Sequence, residues 1–428
     1  MADETETSFR GALEELAFAY DQVPFYREHL DRAGVAPGAV RAPADLLQVP
    51  ATTKRDYRRH FPARVLARGR HLGEPGVFTV STSGTTDERL ITAHHAGLAN
   101  RRLFGTMRLN AAVWRTLRAA TPRRYAMYAP PQCTAVDCAN PDAGMEARLM
   151  PSGRLALPTT ADFLLAPGGM LDQAARELDA FRPVMLDGDP FRISHLVRHL
   201  RRTGGAPLAV GVVALGFCQT TPGDRRVIRA GVTGATVVVE TVGMSEFGKI
   251  AAECEHGGLH LNTGTFYPEL VAGGRHAAPG ELAELYLTTI GDRLAPHVRY
   301  RTGDLYTLVG GACPCGARAP LVRFEGRKTS VLVLADGRLL TPREVAEALA
   351  ALPLRLYQLE QRERERFAFS YLPEDGAAVD AAAVQAAVRA LVGAGVRLDV
   401  AARDAIASSQ SGKFLTCRSA AGAPPAWA

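Results

Sequence analysis

The chain has 428 residues, a globular 47% apolar content, a formal charge of +6 and seven cysteines. That length exceeds one ordinary core, so a large domain with a smaller companion is expected, and no run of about 18 or more apolar residues marks a membrane span. The modest charge comes almost wholly from arginine without a basic stripe interleaved with aromatics, which argues against a nucleic-acid binder, and seven cysteines in so long a chain are not a disulfide framework.

The start, Met1-Ala2-Asp3-Glu4-Thr5-Glu6, is acidic and lacks the basic-then-apolar layout of a secretion signal, so a cytoplasmic enzyme is expected. Helical patterns alternate with turn signals over residues 9–66. Val77-Phe78-Thr79-Val80, rich in β-branched and aromatic residues, predicts a strand that feeds the polar turn Ser81-Thr82-Ser83-Gly84-Thr85-Thr86. Glycine permits close approach of phosphate oxygens there, and hydroxyls and backbone N–H groups supply donors. Alone, such a turn is as readily a solvated loop.

Between about residues 161 and 235 the pattern is that of a layered α/β sheet. Residues 174–181 predict a helix, 184–186 a short buried strand, 191–202 a basic amphipathic helix, and 209–215 and 237–239 further buried strands. Thr241-Val242-Gly243-Met244-Ser245-Glu246 follows directly, and a carboxylate at a strand end can hold Mg²⁺ against phosphate oxygens. In Arg299-Tyr300-Arg301-Thr302-Gly303-Asp304, an acid beside a tight turn can accept hydrogen bonds from both hydroxyls of a ribose. Taken singly, the Glu246 motif is better read as a solvated loop glutamate and the Asp304 motif as an ordinary ion-paired turn. A hinge is expected near Gly326, a smaller α/β unit beyond Lys328, and disorder after Ala420.

Cys254-Glu255-His256-Gly257-Gly258-Leu259-His260 and Cys313-Pro314-Cys315-Gly316 together offer three thiolates and an imidazole, enough to close a tetrahedral structural zinc site. His256 and His260 compete for the fourth position, and reduced buried thiols beside a surface histidine are the plain alternative. His94 and His95 could line the site and Asp137 and Glu146 could contact a substrate amine or hydroxyl, but a partly exposed polar corner and surface carboxylates are the commoner readings.

In combination and order these motifs resemble the phenylacetate–coenzyme A ligase family of adenylate-forming enzymes, nearly end to end. Pro24-Phe25-Tyr26-Arg27 and Thr52-Thr53-Lys54-Arg55-Asp56-Tyr57 are similar to its N-terminal signature, Gly326-Arg327 to its domain junction and Gly412-Lys413 to its C-terminal lysine motif. The resemblance implies an adenylate-forming two-domain α/β fold. A layered N-terminal core would occupy residues 1–326, and a small mobile C-terminal lid residues 327–428. It implies that Thr82, Ser83, Gly84, Thr85 and Thr86 cradle ATP phosphates and that Glu246 holds Mg²⁺. Gly216, Gly243, Met244, Ser245, Asp304 and Arg327 would bind the nucleotide, and Lys413 would act with Glu246 in catalysis. The acyl pocket would include Tyr128, Gly216 and Met244, and His260 is favoured beside Cys254, Cys313 and Cys315 for zinc.

The implied reaction is ATP-dependent activation of a carboxylic acid, aryl or arylalkyl in class, to an acyl-AMP, followed by transfer to coenzyme A. Neither nucleic acid nor membrane is an expected partner, and homodimer formation stays open. Some residues depart from the family pattern. Asp87-Glu88 closes the phosphate turn where a Gly-Lys pair is usual, Lys328-Thr329-Ser330 follows the junction, and Ala129-Pro130-Pro131-Gln132-Cys133 replaces a Gly-rich pocket segment. The altered junction and the missing loop lysine motivate an alternative in which a carrier-protein thiol or an amine takes the activated group, or a small oxyanion is activated instead.

Overall fold

The computed structural model describes residues 4–82, 89–133, 136–140 and 142–420. Ser83, Gly84, Thr85, Thr86, Asp87 and Glu88 of the polar turn lie outside the described residues, as does the tail after Ala420. The chain forms two compact units, one of residues 1–114 with 241–324 and one of residues 115–240 with 325–428.

In the first unit, the helix Glu4–Gln22 buries Ala12, Glu15, Leu16 and Ala19, the spacing of one helical face. Glu15 is tolerated in that face because four donors meet its carboxylate: the Thr289 hydroxyl at 2.6 Å, the backbone N–H groups of Gly291 and Asp292 at 2.9 and 3.0 Å, and Arg293 at 2.8 Å. The helix Lys54–His60 begins at a capping box in which Thr53 and Asp56 satisfy each other's backbone N–H. Val77–Ser81 is a strand, as expected, and forms an antiparallel hairpin with Ile91–His95.

The unit's sheet runs in the order Arg275–His276, Phe266–Ala272, Leu282–Thr289, Tyr300–Leu308, the start of Leu321–Arg327, Leu259–Leu261, Gly248–Glu253 and the end of Val237–Met244. Tyr300–Leu308 carries a bulge: between the pairs Tyr286↔Arg301 and Glu284↔Leu305 the partner strand spends one residue and this strand three. Gly303, at φ +73°, supplies the left-handed backbone that the bulge needs.

The second unit has a parallel sheet ordered Arg154–Ala156, Tyr125–Tyr128, Met185–Gly188, Val212–Leu215 and the start of Val237–Met244. Every residue of Met185–Gly188 and Val212–Leu215 is buried, as befits parallel strands covered on both faces. Its later portion is an antiparallel pair, Leu354–Glu363 with Arg366–Pro373, flanked in parallel by Cys417–Ser419 and Arg397–Ala402. Leu359, Phe367, Phe369, Val384 and Val388 give that portion a core of its own. The mixed α/β architecture is the expected one. Among the described residues, no helix is long and apolar enough to cross a membrane.

Residues 191–202 form the expected basic amphipathic helix, as Pro190–Thr203, whose first ten residues are all buried while Arg201 and Arg202 are exposed. The buried part of its basic face meets partners. Arg198 pairs with both oxygens of Glu374 at 2.6 and 2.7 Å, His199 bonds Asp172 at 2.7 Å, and Arg355 donates to His195 Nδ1 at 2.8 Å. Burial, reinforced by Arg355, pushes the His195 imidazole down to about 3, so it stays a neutral acceptor. Local amphipathicity does not report these partners, because Glu374 and Arg355 lie more than 150 residues along the chain.

Candidate active site

The first unit holds Thr82, Gly243, Met244, Ser245, Glu246 and Asp304. Strand Val237–Met244 turns back into Gly248–Glu253 through Ser245, Glu246 and Phe247. The two strands approach so closely that a Cβ on Gly243 would lie 3.1 Å from the Gly248 carbonyl oxygen. The turn is pinned on the Ser245 carbonyl, which accepts from His94 Nε2 at 2.9 Å and from the Thr92 hydroxyl at 3.2 Å. A carbonyl cannot donate, so His94 carries its proton on Nε2. Burial pushes this imidazole down to about 4, with Arg102 adding to the effect, and keeps it neutral.

Glu246 is 6% exposed, and its Oε1 accepts from the Tyr300 hydroxyl at 2.9 Å. Tyr300 is in turn caged. His297 stacks on Tyr57 with ring centroids 4.2 Å apart, and Phe247 and Tyr300 meet the His297 ring edge-on at 4.8 and 5.2 Å. The Tyr57 hydroxyl bonds the Pro296 carbonyl at 2.5 Å and the Tyr26 hydroxyl at 2.6 Å, while Tyr26 accepts from the Val298 N–H at 2.7 Å. Thr52 completes the cage, bonding the backbone of Val298, Arg299 and Arg301 at 2.8 to 3.0 Å. The two N-terminal motifs therefore buttress the segment that aims Tyr300 at Glu246. Sequence reading quoted Tyr26, Tyr57 and Tyr300 without this role and missed His297 and the fixing role of His94. The signal was a tyrosine in each quoted motif.

Asp304 is 5% exposed and stands directly after the Gly303 bulge; its N–H is bonded to Thr302 Oγ1, which donates to the Leu285 carbonyl at 2.7 Å. Tyr300 and Asp304 share one strand, so their Cα atoms are at most about 13 Å apart, within the span of a nucleotide. Thr82 ends the hairpin: its N–H bonds the Leu90 carbonyl at 2.8 Å and its Oγ1 accepts from the Leu90 N–H at 2.9 Å.

Cys254, His260, Cys313 and Cys315, also in this unit, place their ligand atoms within 4.8 Å of one another. Cys254 and Cys313 sulfurs are 3.7 Å apart, and Cys315 Sγ is 3.4 Å from His260 Nε2. A tetrahedron with metal–sulfur bonds of about 2.3 Å and a metal–nitrogen bond of about 2.0 Å has edges of about 3.8 Å and 3.5 Å, so the donor set fits Zn²⁺. The Ala319 carbonyl accepts from His260 Nδ1 at 2.9 Å, which leaves Nε2 as the ligand atom. Backbone donation from Cys315 draws the Cys313 thiol down, easing loss of its proton, whereas burial holds the Cys315 thiol up. His260 is fully buried and His256 is exposed on the turn, outside the group.

The second unit holds Tyr128, Gly216, Arg327 and Lys413. Tyr128 and Gly216 mark the carboxyl ends of the strands Tyr125–Tyr128 and Val212–Leu215, the edge at which open α/β sheets take ligands. Burial pushes the Tyr128 phenol up to about 12. Beyond Gly216, whose carbonyl accepts from the Cys218 N–H at 2.8 Å, Phe217 is held at φ +68°. The Cys218 thiol, pushed well up by burial, donates to buried Asp189 at 3.3 Å. Lys413 lies at the same edge, on a loop whose Gln410 carbonyl accepts from Gln132 at 2.9 Å, and its charge bears on the thiols of Cys133 and Cys218. Arg327 is exposed and ends the strand Leu321–Arg327.

No protein-family model matches the chain. It is 28% identical over 347 residues, 79% of this chain, to a phenylacetate–coenzyme A ligase of Thermus thermophilus, covering 73% of that protein. It is 30% identical over 334 residues, 74% of this chain, to the phenylacetate–coenzyme A ligase of Escherichia coli, covering 70% of it. Among solved structures, a 2-hydroxyisobutyryl–CoA ligase in the postadenylation state with its acyl-AMP matches with a TM-score of 0.71 at 18% identity, over 98% of this chain and 89% of that one. That last likeness is one of fold.

Proposed function

Because the chain belongs to the phenylacetate–coenzyme A ligase family, we propose that it activates a carboxylic acid with ATP, releases pyrophosphate and transfers the acyl group from the acyl-AMP to coenzyme A. The observation that carries this is the 30% identity over 334 residues to a ligase of that name. An aryl or arylalkyl acid is the substrate class we infer.

In the first step a carboxylate oxygen bonds the α-phosphorus of ATP while the bridge to the β-phosphate breaks. In the second, the thiol sulfur bonds the acyl carbon, AMP leaves and the thiol gives up its proton. Glu246 is the residue for Mg²⁺: Tyr300 takes one of its oxygens, and no described residue bonds the other. Magnesium held there would neutralise charge on the phosphate oxygens. Thr82 with Ser83, Gly84, Thr85 and Thr86 would bind phosphates, and Asp304 and Arg327 the ribose. Gly216, Gly243, Met244 and Ser245 would frame the nucleotide, and Tyr128, Gly216 and Met244 the acyl group. Lys413 would neutralise charge on the α-phosphate and carboxylate oxygens as phosphorus becomes five-coordinate. We assign residues 327–428 as the lid that carries Lys413, supported by that portion's own core. Zinc on Cys254, His260, Cys313 and Cys315 is structural in this scheme: four protein ligands leave no open position.

The test is AMP and pyrophosphate release with a panel of aryl and arylalkyl acids, with and without coenzyme A. Coenzyme A-dependent AMP release is expected. Pyrophosphate release indifferent to coenzyme A would transfer the second step to another acceptor, and release with no acid at all would refute acid activation.

A further inference from the structure

We propose that Arg192 is the positioning residue for Lys413, holding the lysine loop in register for the adenylation step; this rests on the role given to Lys413 above. Arg192 is fully buried in the second unit. Its Nη1 donates to the Thr159 hydroxyl at 2.5 Å and the Thr160 carbonyl at 2.7 Å, and its Nη2 donates to the carbonyls of Ala161 and Gly412, both at 2.9 Å. The nearby carboxylate, Asp189, stands 3.9 Å from Nε. A guanidinium cannot shed its charge by deprotonation, so its burial here depends on this ring of oxygens. Three of them belong to one segment, and the fourth is the carbonyl joined directly to the Lys413 amide.

The rest of the loop is shaped for that grip. Gly412 adopts φ +73°, and a Cβ there would lie 3.0 Å from Pro130 Cβ, 3.1 Å from the Ala161 oxygen and 3.4 Å from Arg192 Nη2. The loop closes on itself, with the Ser409 N–H on the Lys413 carbonyl at 2.9 Å and the Gly412 N–H on the Ser409 carbonyl at 2.8 Å. On the other side of Lys413, the Phe414 ring meets Phe191 edge-on at 5.0 Å and Phe163 at 6.2 Å. Lys413 thus leaves the backbone between two anchors, both of which reach the Pro190–Thr203 helix. Of the two, Arg192 is directional, because a hydrogen bond to Gly412 fixes the peptide plane from which the lysine departs.

The test separates the half-reactions, using whichever acid of the panel gives the fastest pyrophosphate release and its synthetic acyl-AMP. Arg192→Met keeps the apolar stem and removes the donors. Adenylation should fall about 100-fold, the scale of a side chain misplaced by about 1 Å, while thioester formation from supplied acyl-AMP stays within about threefold of wild type. Arg192→Lys should recover part of the loss. Gly412→Ala, which crowds the same cradle with Arg192 intact, should reproduce the selective defect and decides the matter if Arg192→Met does not fold. Unchanged adenylation, or an equal fall in both half-reactions in folded protein, would overturn the proposal. Lys413→Ala distinguishes the failures: if it too leaves adenylation intact, the role of Lys413 falls; if it abolishes adenylation while Arg192→Met does not, only the role of Arg192 falls.

Discussion

His297 makes a stability prediction whose sign and size follow from its surroundings. The ring is enclosed by Tyr57, Phe247 and Tyr300, and burial pushes its imidazole from 6.5 down to about 3 despite Asp292 nearby. The folded protein therefore refuses a proton that the unfolded chain accepts. Stability from this group is complete above pH 6.5 and drains away as pH falls towards 3. The slope is about 1.4 kcal/mol per pH unit, so about 2.7 kcal/mol is gone by pH 4.5. The measurement is urea unfolding at half-unit steps from pH 7.5 to 4.5, on wild type and His297→Gln. Acid-sensitive carboxylates contribute to both curves alike, and the lost ring packing shifts the variant by a constant. Only the slope isolates the proton: the variant should be flatter by about 1.4 kcal/mol per pH unit. Parallel curves would show that His297 titrates normally and that the aromatic cage does not exclude water.

Tyr300→Phe removes a donor from a buried carboxylate at 2.9 Å. At about 1.5–3 kcal/mol for a charge-assisted bond, pyrophosphate release should fall at least about tenfold, with thioester formation from acyl-AMP preserved; equal rates with wild type would remove Glu246 from the magnesium role. Lys413→Ala should cut adenylation by roughly two to three orders of magnitude with ATP binding, read by calorimetry, nearly intact. Protein purified without chelator should contain about one zinc per chain, and Cys313→Ser should lower the melting temperature; metal-free protein with an unchanged melting curve would discard the zinc site.

The sequence exposed what is written locally. Gly243 to Glu246 is a short contiguous motif at a strand end and Tyr300 to Asp304 is the bulged first part of a strand, and the structure puts both in one unit with Glu246 tied to Tyr300. The cluster of Cys254, His260, Cys313 and Cys315 was legible because its thiols fall in two short motifs, and burial separates His260 from His256. What was not legible is long-range. His94 serves the Ser245 carbonyl across 151 residues, and Arg192 serves Gly412 across 220. The burial of the basic helix was not legible for the same reason: the partner of Arg198 lies 176 residues away.

The tyrosine pair Tyr26 and Tyr57 carries a consequence for building chimeras. Their hydroxyls are spliced into the backbone of residues 296–298, which in turn orients Tyr300. A hybrid that takes its first sixty residues from one parent and the remainder from another can match every catalytic motif and still inherit an ill-fitting splint. Recombination is safest when both segments come from the same parent, so this amino-terminal stretch should co-evolve with a loop more than two hundred positions downstream.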